Sequence, residues 1–205
     1  MGHPKCNPYF YRNIEYATKM ARILLVNNAE PGINKFTILI EKIVAQTGSI
    51  SVSIEYADCL NFDFNAFDGV ILTGSPKGND IVKHHLPFFL WIKDFTKPVL
   101  GICAGHHITG FVYGSKILRS EEPESGDFLV NVIKSDPLFN GMGNTFSVKQ
   151  MHNDSITLPK DFELLATSET CHNQLMKHRK KPLYTCQFHP EYFNHKLIRN
   201  FVALC

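Results

Sequence analysis

The chain has 205 residues, enough for one ordinary α/β domain with a proper core but cramped for two. Its 21 Lys and Arg nearly balance 19 Asp and Glu, and the longest basic run is the four residues 178–181. The charge distribution therefore does not indicate nucleic-acid binding. Because the sequence has neither an apolar signal core at its start nor an apolar run long enough to span a bilayer, we expect a cytoplasmic protein without a membrane partner.

The six cysteines are widely separated, with no Cys-x-x-Cys pair and no disulfide-framework spacing. This usage is typical of free thiols in a reducing compartment. The histidines likewise lack the regular spacing of metal ligands, so we expect no metal site.

The first 20 residues lack clear periodicity, and we interpret them as an arm preceding a domain over residues 21–205. Short apolar runs then alternate with helical patterns. Strands are predicted over residues 22–26, 51–56, 67–73 and 99–103, and helices over 33–46 and 81–95. Strands and helices in alternation indicate right-handed crossovers and a parallel sheet.

The second half changes character, because short strand patterns follow one another with only turns between them. These strands are predicted over residues 116–119, 128–134, 145–150, 163–167, 174–177 and 183–188, with a closing amphipathic helix over 194–204. The chain is therefore predicted to form a single α/β domain, with a mostly parallel central sheet flanked by helices and an antiparallel extension.

Cys103 lies in a Gly-x-Cys-x-Gly turn between the strand that ends near Ile102 and a helix that begins near Ala104. Such a turn is the cysteine form of a nucleophile elbow, and the glycines avoid crowding there. The start of the helix favours a thiolate and stabilises developing negative charge. A bare cysteine in this position would more often be inert packing, but the flanking glycines and a histidine elsewhere favour a nucleophile.

His189 and Glu191 follow a second strand, separated by Pro190, which keeps His189 extended. Glu191 can reach one imidazole nitrogen and leave the other facing the thiol, which is how a carboxylate orients a base. The structural alternative is a surface His-Pro turn beside a glutamate that starts the last helix.

Two further segments are candidates for the site. The strand before Gly74, Ser75 and Pro76 exposes backbone amides, and the amides of Gly74 and Ala104 could form an oxyanion hole, although Gly-Ser-Pro is usually a simple turn. Polar residues 151–155 could bind substrate or a neighbouring subunit, and the alternative is an Asx-rich loop.

The ordered set of Gly-Ser-Pro, Gly-Ile-Cys-x-Gly-His, His-x-Asp and Gln-Phe-His-Pro-Glu resembles the class I, triad-type glutamine amidotransferases. The resemblance covers roughly residues 21–205. Within that family, residues 168–171, 176–178 and 198–205 look most like the separate glutaminase subunit of two-subunit GMP synthases. The resemblance implies a flavodoxin-like fold.

The resemblance also implies a chemistry. Cys103 would attack the side-chain amide of glutamine, His189 would protonate the leaving ammonia and then activate water, and Glu191 would hold His189. A γ-glutamyl thioester would form and be hydrolysed. Residues expected at the substrate are Ser75, His107, His152, Asn153 and Asp154.

Ammonia released by such a subunit would pass to a partner, by resemblance an ATP-pyrophosphatase that aminates XMP. ATP and Mg²⁺ would belong to that partner, so we expect no cofactor in this chain. The contact is expected at residues 152–154 and at the loop 76–80.

Two residues depart from the usual Gly-Ile-Cys-Leu-Gly-His-Gln pattern of the family: Ala104 replaces a bulky residue and His107 replaces a glutamine. A reshaped pocket leaves open a γ-glutamyl peptidase or related hydrolase on the same fold. A non-catalytic regulatory subunit is the third possibility, and the presence of Cys103, His189 and Glu191 together argues against it.

Overall fold

The computed structural model describes residues 20–77 and 84–205, so nearly all of the predicted arm lies outside the described residues. In chain order the strands are β1 Arg22–Asn27, β2 Ile50–Glu55, β3 Gly69–Leu72, β4 Val99–Ile102, β5 Ile117–Leu118, β6 Glu124–Val132, β7 Thr145–His152, β8 Ser155–Ile156, β9 Phe162–Thr167, β10 Leu175–His178 and β11 Leu183–Cys186. The α-helices are α1 Lys35–Ala45, α2 Ala104–Val112, α3 Pro190–Phe193 and α4 His195–Ala203, and 3₁₀ helices cover Tyr56–Asn61, Phe64–Ala66, Leu86–Lys93 and Pro137–Phe139.

One nine-stranded sheet forms the centre of the molecule, in the order β2-β1-β3-β4-β11-β10-β9-β6-β7. The strands from β2 to β11 in this order are all parallel. Their central members β3 and β4 are buried along their whole length, as expected for parallel strands covered on both faces. The predicted parallel sheet is confirmed.

The other half of the sheet is the antiparallel extension. Strand β10 pairs antiparallel with β11 and β9, and β6 pairs antiparallel with β9 and β7. Strand β6 alternates between exposed and less exposed residues because one of its faces is open to solvent. The small β5–β8 pair stands apart from this sheet.

The helices cover the two faces of the sheet and close two apolar cores. Helices α1 and α4 lie over one face, where Ile40 and Phe201 are fully buried. Helix α2 and the 3₁₀ helix Leu86–Lys93 cover the other, where Phe89 and Ile108 are fully buried. The two layers hold the central strands rigidly, and the carboxyl ends of β3, β4 and β11 meet at one edge.

The segment predicted as a helix over residues 81–95 is different in the structure. Residues 81–83 lie outside the described part, and Leu86–Lys93 is a 3₁₀ helix with Pro87 in its first turn. In a continuous α-helix over residues 81–95, Pro87 would lie in the interior and remove one backbone hydrogen bond, whereas the first turn of a helix accepts proline. The two-residue strand β8 was not predicted, because it is shorter than any pattern that periodicity detects.

The turn between β4 and α2 depends on contacts that leave no room for side chains. A Cβ on Gly105 would lie 2.6 Å from the carbonyl oxygen of Leu72, and a Cβ on Gly101 would lie 2.6 Å from the carbonyl oxygen of Gly105. Helix α2 therefore packs directly against the backbone of β3.

We expect Gly105→Ala to lower the free energy of unfolding by about 1–3 kcal/mol, because the new methyl group must push α2 away from β3. Urea unfolding of the variant and the parent protein measures this difference. An unchanged unfolding midpoint would contradict the close packing of α2 on β3.

Candidate active site

Cys103 lies in the tight turn between β4 and α2. Its φ is 49°, and Cys103 and Ser120 are the non-glycine residues with positive φ among those described. A strained conformation of this kind costs about 1–3 kcal/mol and persists only where the surroundings enforce it. Here the Cys103 amide donates to the carbonyl oxygen of Cys186 at 2.9 Å, and the Cys103 carbonyl oxygen accepts from the amide of His107 at 3.0 Å. The elbow is thus tied to β11 on one side and to α2 on the other.

His189 lies just after β11, the strand next to β4. Its amide donates to the carbonyl oxygen of Lys149 at 2.9 Å, which fixes this segment to β7, and Pro190 starts the short helix α3. The Nδ1 atom of His189 lies 2.7 Å from Oε1 of Glu191. Both side chains are almost completely buried. Because Glu191 occupies Nδ1, the other ring nitrogen is left for Cys103, whose side chain is close enough to raise the pKa of His189.

The proton on His189 is held by its neighbours. Burial by itself lowers the pKa of this imidazole, but the charge and hydrogen bond of Cys103, together with those of Glu191, outweigh burial and raise the pKa to about 10. Below that pH the ring is an imidazolium. His189 can therefore donate a proton to a leaving group at neutral pH.

Gly74 lies against this pair. A Cβ at Gly74 would lie 2.7 Å from Cε1 of His189 and 3.7 Å from Cβ of Cys103, so a side chain there would displace the imidazole. The amide of Ala104 is the first in α2 and has no acceptor within the helix. Both predicted oxyanion amides, those of Gly74 and Ala104, thus belong to residues that flank the sulfur.

A cleft of about 520 Å³ opens over Cys103. Its lining residues include all the predicted substrate-binding residues, Ser75, His107, His152, Asn153 and Asp154, together with Cys103, Ala104 and His189. Met151 of the predicted segment 151–155 and Pro76 and Lys77 of the loop expected at the partner line the same cleft. So do Lys35, Phe36, Arg119 and Ser125, which the sequence analysis did not place at the site. The loop 76–80 is described only to Lys77.

His107 does not present a charge to the cleft. Its Nε2 atom lies 2.6 Å from Oε1 of Gln187. Burial lowers the pKa of His107 to about 4, although the hydrogen bond with Gln187 opposes this. The ring is therefore neutral at pH 7 and donates its Nε2 proton to Gln187.

His152 and Asp154 are held by contacts of their own. The two ring nitrogens of His152 lie 3.1 Å from the Asp154 carbonyl oxygen and 3.1 Å from Oε2 of Glu124. The Asp154 carboxylate accepts from the amide of Ser120 at 2.9 Å and from Arg119 at 3.4 Å. His152 is thus a buried part of the cleft lining with both ring nitrogens bonded, whereas Asn153 beside it is exposed and Asp154 is half-buried.

Phe36 is the main residue that sequence reasoning missed. Its ring stacks on His189 with centroids 5.3 Å apart and planes at 25°, and the Lys35 ammonium lies 4.8 Å from the Phe36 centroid. The order of the elements could have predicted this contact. Because α1 follows β1, its first turn lies at the same edge of the sheet as the turn that carries Cys103.

One constellation among the described residues has the donor set of a metal site. Glu124, His152 and Cys171 each offer a ligand atom, and these atoms lie within 4.8 Å of one another. Hydrogen bonds already use both Glu124 oxygens, from Ser168 and from Gln174 and His152. Burial also raises the pKa of the Cys171 thiol, which keeps it protonated. We therefore describe the cluster as a hydrogen-bonded network.

A family model described as glutamine amidotransferase class-I matches residues 34–203. The chain belongs to this family. The resemblance read from the motifs is confirmed, and so is the fold class. No helix within the ranges 20–77 and 84–205 is long and apolar enough to cross a membrane.

Similar proteins within the amidotransferase family are the A subunits of glutamine-hydrolyzing GMP synthases. That of Thermoplasma acidophilum is 29% identical over 91% of this chain and 94% of its own length, and that of Thermoplasma volcanium is 35% identical over 69% and 73%. A solved structure of a GMP synthase protein of this kind from T. acidophilum has a TM-score of 0.81 at 30% identity, covering 91% of this chain and 94% of its own. A glutamine amidotransferase from Thermotoga maritima, at 22% identity and a TM-score of 0.69 over 83% and 76% of the two chains, shares the fold.

The charge on His189 is open to direct measurement in this amidotransferase. We expect its imidazole, followed by ¹⁵N NMR, to stay doubly protonated through neutral pH and to lose a proton near pH 10. In Cys103→Ala the pKa should fall, because the sulfur is the larger of the two influences that raise it. A His189 ring that is already neutral at pH 7 in the parent protein would contradict the conclusion that Cys103 and Glu191 keep it protonated.

Proposed function

We propose that this chain hydrolyses glutamine to glutamate and ammonia through Cys103, His189 and Glu191, and passes the ammonia to an ATP-pyrophosphatase partner for GMP synthesis. The observation that carries the proposal is the meeting of Cys103 and the Glu191-bound His189 at the base of an open cleft. Packing alone does not require this arrangement, because it places a strained cysteine beside a buried ion pair.

The first half of the reaction would form a thioester. The Cys103 thiolate attacks the side-chain amide carbon of glutamine, and a C–S bond forms while the carbonyl π electrons move to oxygen. The amides of Gly74 and Ala104 stabilise this oxyanion. When the C–N bond breaks, His189 donates its Nε2 proton to the leaving nitrogen and ammonia departs.

The second half would reverse these roles. His189, now neutral, takes a proton from water, and the water oxygen attacks the thioester carbon. The C–S bond breaks and glutamate is released, which restores the thiolate and the imidazolium. Glu191 keeps the ring oriented throughout by accepting from Nδ1.

The cleft also suits the amino-acid end of glutamine. Asp154 offers a carboxylate for an ammonium group, and Lys35 and Arg119, which line the same cleft, offer cations for a carboxylate. A γ-glutamyl peptide presents the same end group, so these charges suit a glutaminase and a γ-glutamyl peptidase equally well. The methyl side chain of Ala104 beside the sulfur is the one observation that favours a bulkier γ-glutamyl substrate.

Two further observations support the proposal of a synthase partner. The similar GMP synthase protein of Thermoplasma acidophilum is matched over 94% of its own length, so it is of comparable size to this chain. Met151 lines the cleft and the Tyr192 ring contacts that of His189, and with Phe193, the next residue of α3, they expose 40%, 38% and 46% of their surface. Exposed apolar side chains grouped at a site are typical of a docking surface.

Replacing the nucleophile tests the chemistry. We expect Cys103→Ala to abolish ammonia release from glutamine, while the matched control Cys59→Ala, also a buried free thiol, keeps full activity. An electrophilic glutamine analogue should label Cys103 and no other cysteine. Ammonia release that persists in Cys103→Ala would overturn the mechanism.

The same assay should rank the other two residues. His189→Ala should lose roughly 10²–10⁴-fold in kcat, the usual contribution of general acid-base catalysis, and Glu191→Gln should lose less, because misorientation forfeits only part of it. High activity on γ-glutamyl peptides with little on glutamine would favour the peptidase.

Docking of the synthase should activate this chain. We expect glutamine hydrolysis to rise severalfold when an ATP-pyrophosphatase and its nucleotides are added, because the partner binds the competent state better. Phe193→Ser should reduce the rise and keep the partner-free rate. Leu60→Ser, in the 3₁₀ helix that follows the edge strand β2 and 60% exposed, should leave both unchanged. Equal rates with and without the synthase would contradict the coupling.

A further inference from the structure

Two buried side chains, Glu124 and His152, pair within the cleft wall that carries Asn153 and Asp154. Glu124 begins β6 and His152 ends β7, and the antiparallel register places the two residues directly opposite each other. The distance from Oε2 of Glu124 to Nε2 of His152 is 3.1 Å, and their side chains are 0% and 3% exposed. Neither residue takes part in the steps described for Cys103 and His189.

The hydrogen-bond partners of His152 specify its charge. Nε2 faces the Glu124 carboxylate, and Nδ1 faces the carbonyl oxygen of Asp154. Both partners are acceptors, so each nitrogen must carry a proton to make its bond, and only the imidazolium does so.

Glu124 is built to supply the opposite charge. Burial by itself raises the pKa of its carboxyl, but hydrogen bonds with His152, Ser168 and Gln174 lower it below the usual value. Ser168 donates to Oε1 at 2.5 Å and Gln174 donates to Oε2 at 2.5 Å. A buried ion pair that is hydrogen-bonded on every side avoids the large cost of an unpaired buried charge.

The hydrogen bond from His152 to the Asp154 carbonyl oxygen connects the pair to the turn at the cleft surface. His152 holds the carbonyl of Asp154, two residues further along, and so fixes the turn that includes Asn153. The Asp154 carboxylate is held separately by Ser120 and Arg119. Backbone and side chain of Asp154 are thus anchored at different points, and the charged ring is the anchor of the backbone.

We propose that the Glu124–His152 ion pair is a positioning device for substrate binding, which requires the carboxylate of Glu124 to keep His152 doubly protonated. The inference rests on the proposed function, because it assigns Asn153 and Asp154 to the wall that receives glutamine. With a neutral ring, one of the two acceptors loses its donor, and the Asn153–Asp154 turn is released. Other titratable side chains around the pair are His106 and His107 of α2, and Glu122 and Cys171 beside β6 and β9.

Kinetics of Glu124→Gln test the proposal against a matched control. This variant keeps the shape of the side chain and removes its charge, so KM for glutamine should rise roughly tenfold or more, the effect of losing a hydrogen bond to a charged group, with kcat within about threefold. The control Ser168→Ala removes a neutral donor from the same carboxylate and leaves its charge, so KM should change less than about twofold. Equal changes in the two variants would indicate a merely structural network and overturn the proposal.

A second measurement uses the parent protein, so it does not depend on whether a variant folds. The ¹⁵N spectrum of His152 in the parent protein at pH 7 should show protons on both ring nitrogens, and one unprotonated nitrogen would overturn the inference. The parent enzyme separates the two hypotheses. If it fails to hydrolyse glutamine, the proposed function fails; if it is active but KM is unchanged in Glu124→Gln, only the ion-pair role fails.

Discussion

The left-handed backbone of Cys103 is the constraint around which the site is arranged. A cysteine does not favour a φ of 49° by itself. The conformation is enforced by the hydrogen bond from the Cys103 amide to β11 and by the packing of α2 on β3. This turn directs the sulfur out of the sheet edge and places the start of α2 beneath it. Every other part of the site is positioned relative to that sulfur.

The two halves of the sheet make different contributions. The parallel half supplies the nucleophile and the amides of Gly74 and Ala104, because β3 and β4 end side by side at one edge. The antiparallel half supplies the far wall of the cleft through β7, and it also anchors His189 by the bond to Lys149. Strand β11 joins the halves, since it is parallel to β4 and antiparallel to β10. The cleft therefore lies across the seam between the two kinds of sheet.

Local sequence was sufficient for the features that are local in the chain. The strand, tight turn and helix around Cys103, and the Pro190 spacing that lets Glu191 reach His189, are each encoded within a few residues. The family followed from the order of these short motifs. The arm and residues 78–83 lie outside the described residues, so those predictions stay predictions.

Features made by distant residues could not be predicted in this way. The stack of Phe36 on His189 joins the first helix to the segment that follows the last strand, and the bond of His107 to Gln187 spans 80 positions. His152 was expected at the substrate and does line the cleft, but the bonds of its two ring nitrogens to Glu124 of a neighbouring strand and to the Asp154 carbonyl were not predicted. Strand register decides such contacts, and a single sequence does not reveal register between distant strands.

The covalent intermediate is the most direct test of how this amidotransferase works. Acid quenching of the enzyme during steady-state turnover of glutamine, followed by proteolysis and mass spectrometry, should find a γ-glutamyl group on the peptide that contains Cys103. The modification should disappear under neutral hydroxylamine, which cleaves thioesters. Steady turnover with the adduct on a different cysteine, or with no adduct trapped even in the slower Glu191→Gln variant, would contradict the account.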